Sequence, residues 1–138
     1  MAGLLDEILE NVPDEKPVEP GIYELMVTSI KRKLSKAGNP MIVVSFEIPE
    51  EPSSKPIFVY FSEPTDSMDD RTKMSNLRRW KSFMVAVGVD ISQPQGEDLF
   101  ESLKFSRCFG QVTLEDDDRY GPSNRITQFM SNPDGTAF

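Results

Sequence analysis

The segment Met41-Ile42-Val43-Val44-Ser45-Phe46-Glu47-Ile48 carries the clearest β-strand pattern in this chain of 138 residues. Its even-numbered residues are all apolar, whereas the odd-numbered residues include the polar Ser45 and Glu47. Because successive side chains of a strand point to opposite faces, the alternation predicts a strand with one buried face. The turn over residues 37–40 and the proline-rich loop over residues 49–56 set its two ends.

Strand patterns also lie on both sides of this segment. Upstream, residues 22–34 alternate up to about Thr28, after which Ile30 and Leu34 become the apolar positions. This change of phase predicts a β-bulge near Thr28 or Ser29, and a bulge allows a long strand to bend around a barrel. The other predicted strands cover residues 57–61, 105–114 and 125–130, and the acidic run at 115–118 is expected to end the fourth strand.

Helical patterns occur in three places. Residues 71–87 carry apolar side chains at helical spacing, with Trp80 expected in the core and Gly88 as the expected stop. Residues 96–103 form a weaker helical segment or loop. Gly3 to Glu10 has four aliphatic residues at the spacing of a short amphipathic helix, and residues 11–20 read as a linker.

The order of these elements indicates the fold class. Three strands, a helix and a two-stranded hairpin follow one another in the five-stranded Greek-key barrel of the OB-fold. We therefore predict a mainly β protein with an OB-fold barrel and a helix between strands 3 and 4. The predicted organisation is an acidic N-terminal helix and linker over residues 1–20, the OB-fold domain over 21–130, and a short tail over 131–138.

The net charge of −8 is unevenly distributed along the chain. Residues 1–20 hold six acidic residues and one lysine, a net charge of −5, so the rest of the chain carries only −3. A local basic groove is therefore compatible with the negative total. The two clusters of basic residues are Lys31, Arg32, Lys33 and Lys36, and Arg71, Lys73, Arg78, Arg79 and Lys81.

The composition argues against an enzyme, a cofactor site and a metal site. The chain has no histidine, which removes the commonest general base, and its single cysteine, Cys108, lacks such a base beside it. The aspartates at 116–118 and at 66, 69 and 70 do not have calcium-loop spacing. No apolar run approaches the roughly 20 residues of a membrane helix and no signal peptide is present, so we expect a cytoplasmic protein without membrane contact.

Five short motifs follow one another in an order that carries a family resemblance. They are Gly21-Ile22-Tyr23-Glu24, the turn and strand from Ser35 to Ile42, Ile57-Phe58-Val59-Tyr60-Phe61, the helix end from Trp80 to Gly88, and Asn124-Arg125-Ile126 with Phe129. Over residues 21–130 the chain resembles the small single-stranded DNA-binding proteins of tailed bacteriophages. The resemblance implies an OB-fold that coats single-stranded DNA during replication or recombination in the host cytoplasm, with replication or recombination proteins as partners. Many such proteins end in a strongly acidic tail with a terminal phenylalanine; this chain ends in Phe138 but has only Asp134 as a nearby acid.

Binding of single-stranded DNA requires cations along the phosphate backbone and aromatic faces that accept unstacked bases. Four cations lie at the end of the first strand and in the loop after it, and two rings are expected to point outward from the third strand. Two arginines and a tyrosine lie in the last hairpin, whose loop is the other usual flank of an OB-fold site. The candidate DNA-binding residues are Lys31, Arg32, Lys33, Lys36, Phe58, Tyr60, Arg107, Tyr120 and Arg125.

Each of these groups also has a purely structural interpretation. The cations are equally typical of a solvated strand end, and Phe58 and Tyr60 could pack beneath a loop or the N-terminal helix. The rival function is a protein-interaction or virion structural module, which the apolar N-terminal segment and the negative net charge favour. A carboxylate-dependent nuclease is a third class, and it predicts magnesium-dependent cleavage.

Overall fold

The computed structural model describes residues 3–6, 8–11, 14–119 and 121–131 of the chain. Five strands and two α-helices make up the body of the protein. Their bounds are β1 (Gly21–Leu34), β2 (Pro40–Glu47), β3 (Ile57–Ser62), α1 (Asp70–Ala86), α2 (Leu99–Leu103), β4 (Arg107–Asp117) and β5 (Gly121–Met130). The strands form one antiparallel sheet in the order β3-β2-β1-β4-β5, which confirms the mainly β class.

Strand β1 joins the two halves of the sheet. Its first half, from Gly21 to Met26, pairs with β4, and its second half pairs with β2 as far as Leu34. The register between β1 and β2 shifts between Val27 and Ser29, so the predicted bulge is confirmed. A strand that changes partner along its length must bend, and a bulge supplies the bend.

The core lies between the concave face of the sheet and α1. Helix α1 begins at the N-cap Asp69, whose side chain accepts a hydrogen bond from the backbone N–H of Thr72. The helix contributes Phe83, which packs against Phe46, Phe61 and Phe129 with ring centroids 5.2–5.5 Å apart. Trp80 is half-buried against the same cluster, as expected, and Gly88 ends the helical region with a φ of 85°.

The predicted closed barrel is not observed. Edge strands β3 and β5 approach each other, and α1 packs against both of them. No backbone ladder joins these two strands in the described part of the chain, so the sheet stays open along this line. The opening leaves a groove between the two strand edges.

Two further expectations are corrected by the structure. The described residues of the N-terminal segment form two single-turn 3-10 helices, Leu4–Asp6 and Leu9–Asn11, instead of one amphipathic α-helix. The acidic run does not end the fourth strand, because β4 continues to Asp117 and pairs there with Gly121 at the start of β5. None of the helices in the described ranges is long and apolar enough to span a membrane.

Candidate nucleic-acid interface

The outer face of β1, β2 and β3 brings rings and cations onto one surface. Lys31 of β1 is paired with Val43 of β2, which is paired in turn with Tyr60 of β3. The adjacent row joins Ser29, Ser45 and Phe58 in the same way. Directly opposed residues of neighbouring antiparallel strands point to the same side of the sheet. Lys31, Phe58 and Tyr60 therefore share one face, with Lys31 and Tyr60 separated by two strand spacings, or about 10 Å.

The two rings on this face are exposed. Phe58 is 55% exposed and Tyr60 is 49% exposed, whereas Ile57, Val59 and Phe61 between and beside them are buried. The prediction that β3 turns two aromatic side chains outward is confirmed. Among the described residues, neither the proline-rich loop nor the N-terminal segment buries these rings, although Pro17 and Lys55 line the same groove. Their part in binding stays a prediction.

The lysines of the first basic cluster are available for a ligand. Lys33 lies one row beyond Lys31 on the same outer face, opposite Met41. Lys36 is exposed in the turn between β1 and β2. No ion pair involves these three lysines within the described residues.

Arg32 does not join the lysines. It is paired with Ile42, whose neighbour on β3 is Phe61, so this row faces the opposite side of the sheet. There its Nε lies 3.4 Å from Oε1 of Glu63, and its guanidinium lies 5.6 Å from the centroid of the Phe100 ring. The three consecutive cations Lys31, Arg32 and Lys33 are therefore divided between the two faces of the sheet.

Arg107 and Arg125 lie on the other half of the sheet. Arg107 Nη1 is 2.7 Å from Oε1 of Glu24, and Arg125 Nε is 2.9 Å from Oε2 of Glu115. Each arginine is thus balanced by a carboxylate from a neighbouring strand. Tyr120 lies outside the described residues.

A groove of about 420 Å³ runs between the open edges of β3 and β5. We call it the edge groove; Phe58 and Tyr60 line one wall, and Asn124 and Arg125 line the other. Sequence analysis missed two of its cations. Lys55 stands alone in the proline-rich loop, where no pattern marks it. Arg79 belongs to the second basic cluster, so its position in that cluster could have marked it as a candidate binding residue.

Arg79 connects helix α1 to the exposed strand. Its Nη1 donates a hydrogen bond to the carbonyl oxygen of Tyr60 at 3.0 Å, and its guanidinium lies 5.3 Å from the centroid of the Phe61 ring. The contact satisfies one backbone acceptor on the free edge of β3. It also fixes a positive charge at the edge of β3 that lines the groove.

Residues 14–20, which we call the N-terminal strap, lie across one end of the edge groove. The backbone N–H of Lys16 donates to the carbonyl of Ser53 at 3.0 Å, and that of Lys55 donates to the carbonyl of Lys16 at 3.1 Å. On the other side, Asn124 exchanges two hydrogen bonds of 2.8 Å with the backbone of Val18. The strap thus bridges the loop before β3 and the beginning of β5; its Pro17 lines the groove, and its three acidic residues are exposed.

Cys108 and Asp69 have shifted pKa values, and neither residue lines the edge groove. Burial raises the pKa of the Cys108 thiol to about 12, so this thiol is neutral at physiological pH. Hydrogen bonds from Thr72 lower the pKa of Asp69, which is the N-cap carboxylate of α1. Among the described residues, no cluster of three or more cysteine, aspartate or glutamate side chains is placed to hold a metal ion.

One comparison with known proteins gave a match. A family model described as "Protein of unknown function (DUF669)" matches residues 9–130. This range includes every strand, both α-helices and the N-terminal strap. No curated protein matched the chain.

Proposed function

The chain belongs to the DUF669 family, and we propose that it binds single-stranded DNA with little sequence preference. The observation that carries the proposal is the outer face of β1–β3. There, Phe58 and Tyr60 are half-exposed beside Lys31 and Lys33, which have no ion partner among the described residues.

The spacing of the two rings suits an extended strand of nucleic acid. Residues two apart on one strand are separated by about 6.6 Å, so Phe58 and Tyr60 offer two successive platforms on the same side of the sheet. Each base stacked on an aromatic side chain contributes about 1–3 kcal/mol to binding. Every base has a flat face, and stacking therefore supplies affinity with little sequence preference.

The cations beside the rings supply the complementary contact. Lys31, Lys33 and Lys36 flank the rings from β1 and its turn, and Lys55 and Arg79 lie at the edge groove on the other side. A phosphate backbone that passes the rings thus meets positive charge on both flanks. Release of counterions from that backbone makes such binding weaken steeply with salt.

The architecture also supports an OB-type domain as part of this proposal. The helix α1 follows β3 and packs across the opening between β3 and β5, as the plug helix does in an OB-fold. The resemblance to tailed-phage proteins further favours a role in coating DNA during replication or recombination, in the cytoplasm of a host cell. In that role the chain acts without catalysis or a cofactor.

Fluorescence anisotropy with a labelled oligothymidine tests the site. Tyr60→Ala is expected to weaken binding by about fivefold to a hundredfold, which corresponds to the loss of one stacked base. The double substitution Lys31→Ala with Lys33→Ala is expected to reduce the slope of log affinity against log salt by about 1.4, since each phosphate contact to a single strand contributes about 0.7.

The chain offers a matched control for both effects. Phe105 is 63% exposed, with the ammonium group of Lys104 5.6 Å from its ring centroid, and neither residue lines the edge groove. Phe105→Ala and Lys104→Ala should leave the affinity unchanged. Equal affinities for Tyr60→Ala and Phe105→Ala would remove the site assignment. A wild-type protein that binds no oligothymidine would favour the protein-interaction or virion module instead.

A further inference from the structure

Helix α1 turns a mixed basic and apolar face away from the core. Its buried residues Phe83, Met84 and Ala86 face the sheet, whereas Met74 and Val85 on the outer side are 48% and 46% exposed. The basic residues Arg71, Arg78 and Lys81 recur on that same outer side at helical spacing. None of the three forms an ion pair within the described part of the chain.

A groove of about 390 Å³ lies beside this face, between α1 and the end of β5. We call it the helix groove. Its floor consists of Val85, Ala86, Phe129 and Met130, and its cations are Arg78 and Lys81. Phe129 is the one ring among the described lining residues and is buried in the core, so these residues offer no exposed ring on which a base could stack. An apolar floor with a cationic rim suits an acidic peptide that carries leucine or isoleucine side chains.

The N-terminal segment of this chain has that chemistry. Within Leu4-Leu5-Asp6-Glu7-Ile8-Leu9-Glu10, four aliphatic residues are interleaved with three acids and no basic residue. Leu5 is fully exposed, and Ile8 and Leu9 are 63% and 70% exposed. In a single copy, therefore, the described residues leave Leu5, Ile8 and Leu9 mostly uncovered, and none of the three lines the helix groove.

We propose that residues 4–11 of one copy dock in the helix groove of a second copy. Leu5, Ile8 and Leu9 would cover Val85 and Met130, and Asp6 and Glu10 would approach Arg78 and Lys81. The two surfaces are different parts of the chain, so the contact is heterologous: one copy of the pair keeps a free groove and the other keeps a free segment. Repetition of such a contact builds an open, head-to-tail array of protein copies.

Sedimentation velocity of the full chain, without DNA, tests this interface over a wide range of protein concentration. The wild type is expected to associate as concentration rises, and to do so less at high salt because charge complementarity is screened. Arg78→Glu with Lys81→Glu is expected to abolish association, as is Leu5→Ser with Leu9→Ser. The control, Lys73→Glu with Lys104→Glu, makes the same change in net charge outside the groove and should associate like the wild type.

Mixing two variants with opposite charge reversals gives the decisive result. Asp6→Lys with Glu10→Lys should sediment as a monomer alone but form a complex when mixed with Arg78→Glu, Lys81→Glu protein. A wild type that stays monomeric at every concentration would overturn the proposal, and so would equal loss of association in the control. The variant Arg78→Glu, Lys81→Glu could instead sediment like the wild type and bind oligothymidine more weakly. That outcome would also overturn the proposal and would indicate that the helix groove contacts DNA. The sedimentation assay contains no DNA, so its result does not depend on whether the proposed DNA binding is correct.

Discussion

Gly110 in β4 allows the two central strands of the sheet to pack closely. A Cβ atom at this position would lie 2.5 Å from Cδ1 of Leu25 and 3.2 Å from Cγ2 of Ile126. Leu25 is fully buried, so its side chain has little room to move away. Gly110→Ala is therefore expected to lower the free energy of unfolding by about 1–3 kcal/mol, the usual cost of overpacking a core.

Urea denaturation followed by tryptophan fluorescence measures this effect. Gly21→Ala is the matched control, because a Cβ there meets only the Tyr23 ring at an ordinary 3.6 Å. The control should unfold close to the wild-type midpoint. If both variants unfold at the same urea concentration, the close approach at Gly110 does not limit the packing of the core.

Single-residue patterns predicted the rings better than the cations. Alternation in β3 was enough to predict that Phe58 and Tyr60 face outward, because the buried positions between them are unambiguous. The same alternation separates Arg32 from Lys31 and Lys33, and interpreting the basic run as one cluster overlooked it. Glu24 and Glu115 balance Arg107 and Arg125 across strand pairs, and the pairing register was not available from the sequence.

At the scale of whole elements, Asn124 makes two of the side-chain hydrogen bonds that hold the N-terminal strap, and the Tyr23 hydroxyl donates another to the carbonyl of Glu19. Asn124 accepts a hydrogen bond from the N–H of Val18 and donates to the carbonyls of Val18 and Thr113, at 2.8 and 3.2 Å. Asn124→Ala removes all three contacts. The strap should then detach, with a loss of about 1–3 kcal/mol in the free energy of unfolding, since the net value of a hydrogen bond is about 1 kcal/mol.

Hydrogen exchange resolved by peptide distinguishes detachment of the strap from general destabilisation. Faster exchange in Asn124→Ala should be confined to residues 16–18 and to the loop around Lys55. Ser123→Ala is the control, since the neighbouring Ser123 makes no side-chain hydrogen bond among those found in the described residues. Uniformly faster exchange across the sheet would show that Asn124 supports the fold and not the strap alone.

The elements themselves were predicted to different degrees, for identifiable reasons. The bulge in β1 left a phase change in the apolar pattern, so it could be located within two residues. The prediction of an N-terminal amphipathic helix was wrong because a segment of eight residues has too few hydrogen bonds to offset the free-energy cost of helix nucleation without a packing partner. The full length of the β4–β5 hairpin was not predicted because acidic residues were expected to end β4. In the structure, Glu115 of β4 forms an ion pair with Arg125 of β5. No local sequence pattern indicates that the sheet stays open between β3 and β5.

The whole molecule places charge of both signs around one groove. Lys31 and Lys33 lie on the outer face of β1, and Lys55 and Arg79 line the edge groove. Asp14, Glu15 and Glu19 are exposed on the strap, whose Pro17 lines the same groove. A negative strap beside a site for a polyanion raises the local electrostatic cost of binding. The net charge of −8 therefore describes the site poorly, because affinity depends on where the charges lie.

Neutralising the strap without detaching it tests this electrostatic effect. The triple substitution Asp14→Asn, Glu15→Gln and Glu19→Gln keeps the backbone bonds of Lys16 and Val18 and removes three negative charges. Oligothymidine affinity at low salt should rise by about fivefold, the effect of roughly 1 kcal/mol summed over exposed charges, and the gain should shrink as salt screens them.

A second triple variant separates local from global charge. Glu97→Gln, Asp98→Asn and Glu101→Gln make the same change in net charge around α2, away from the edge groove. These substitutions should raise the affinity much less, because a charge more than about 10 Å from the bound strand is largely screened at moderate salt. Equal gains in the two variants would mean that the strap acts only through the total charge. A gain confined to the strap variant would identify residues 14–20 as a competitor of the phosphate backbone for the lysines.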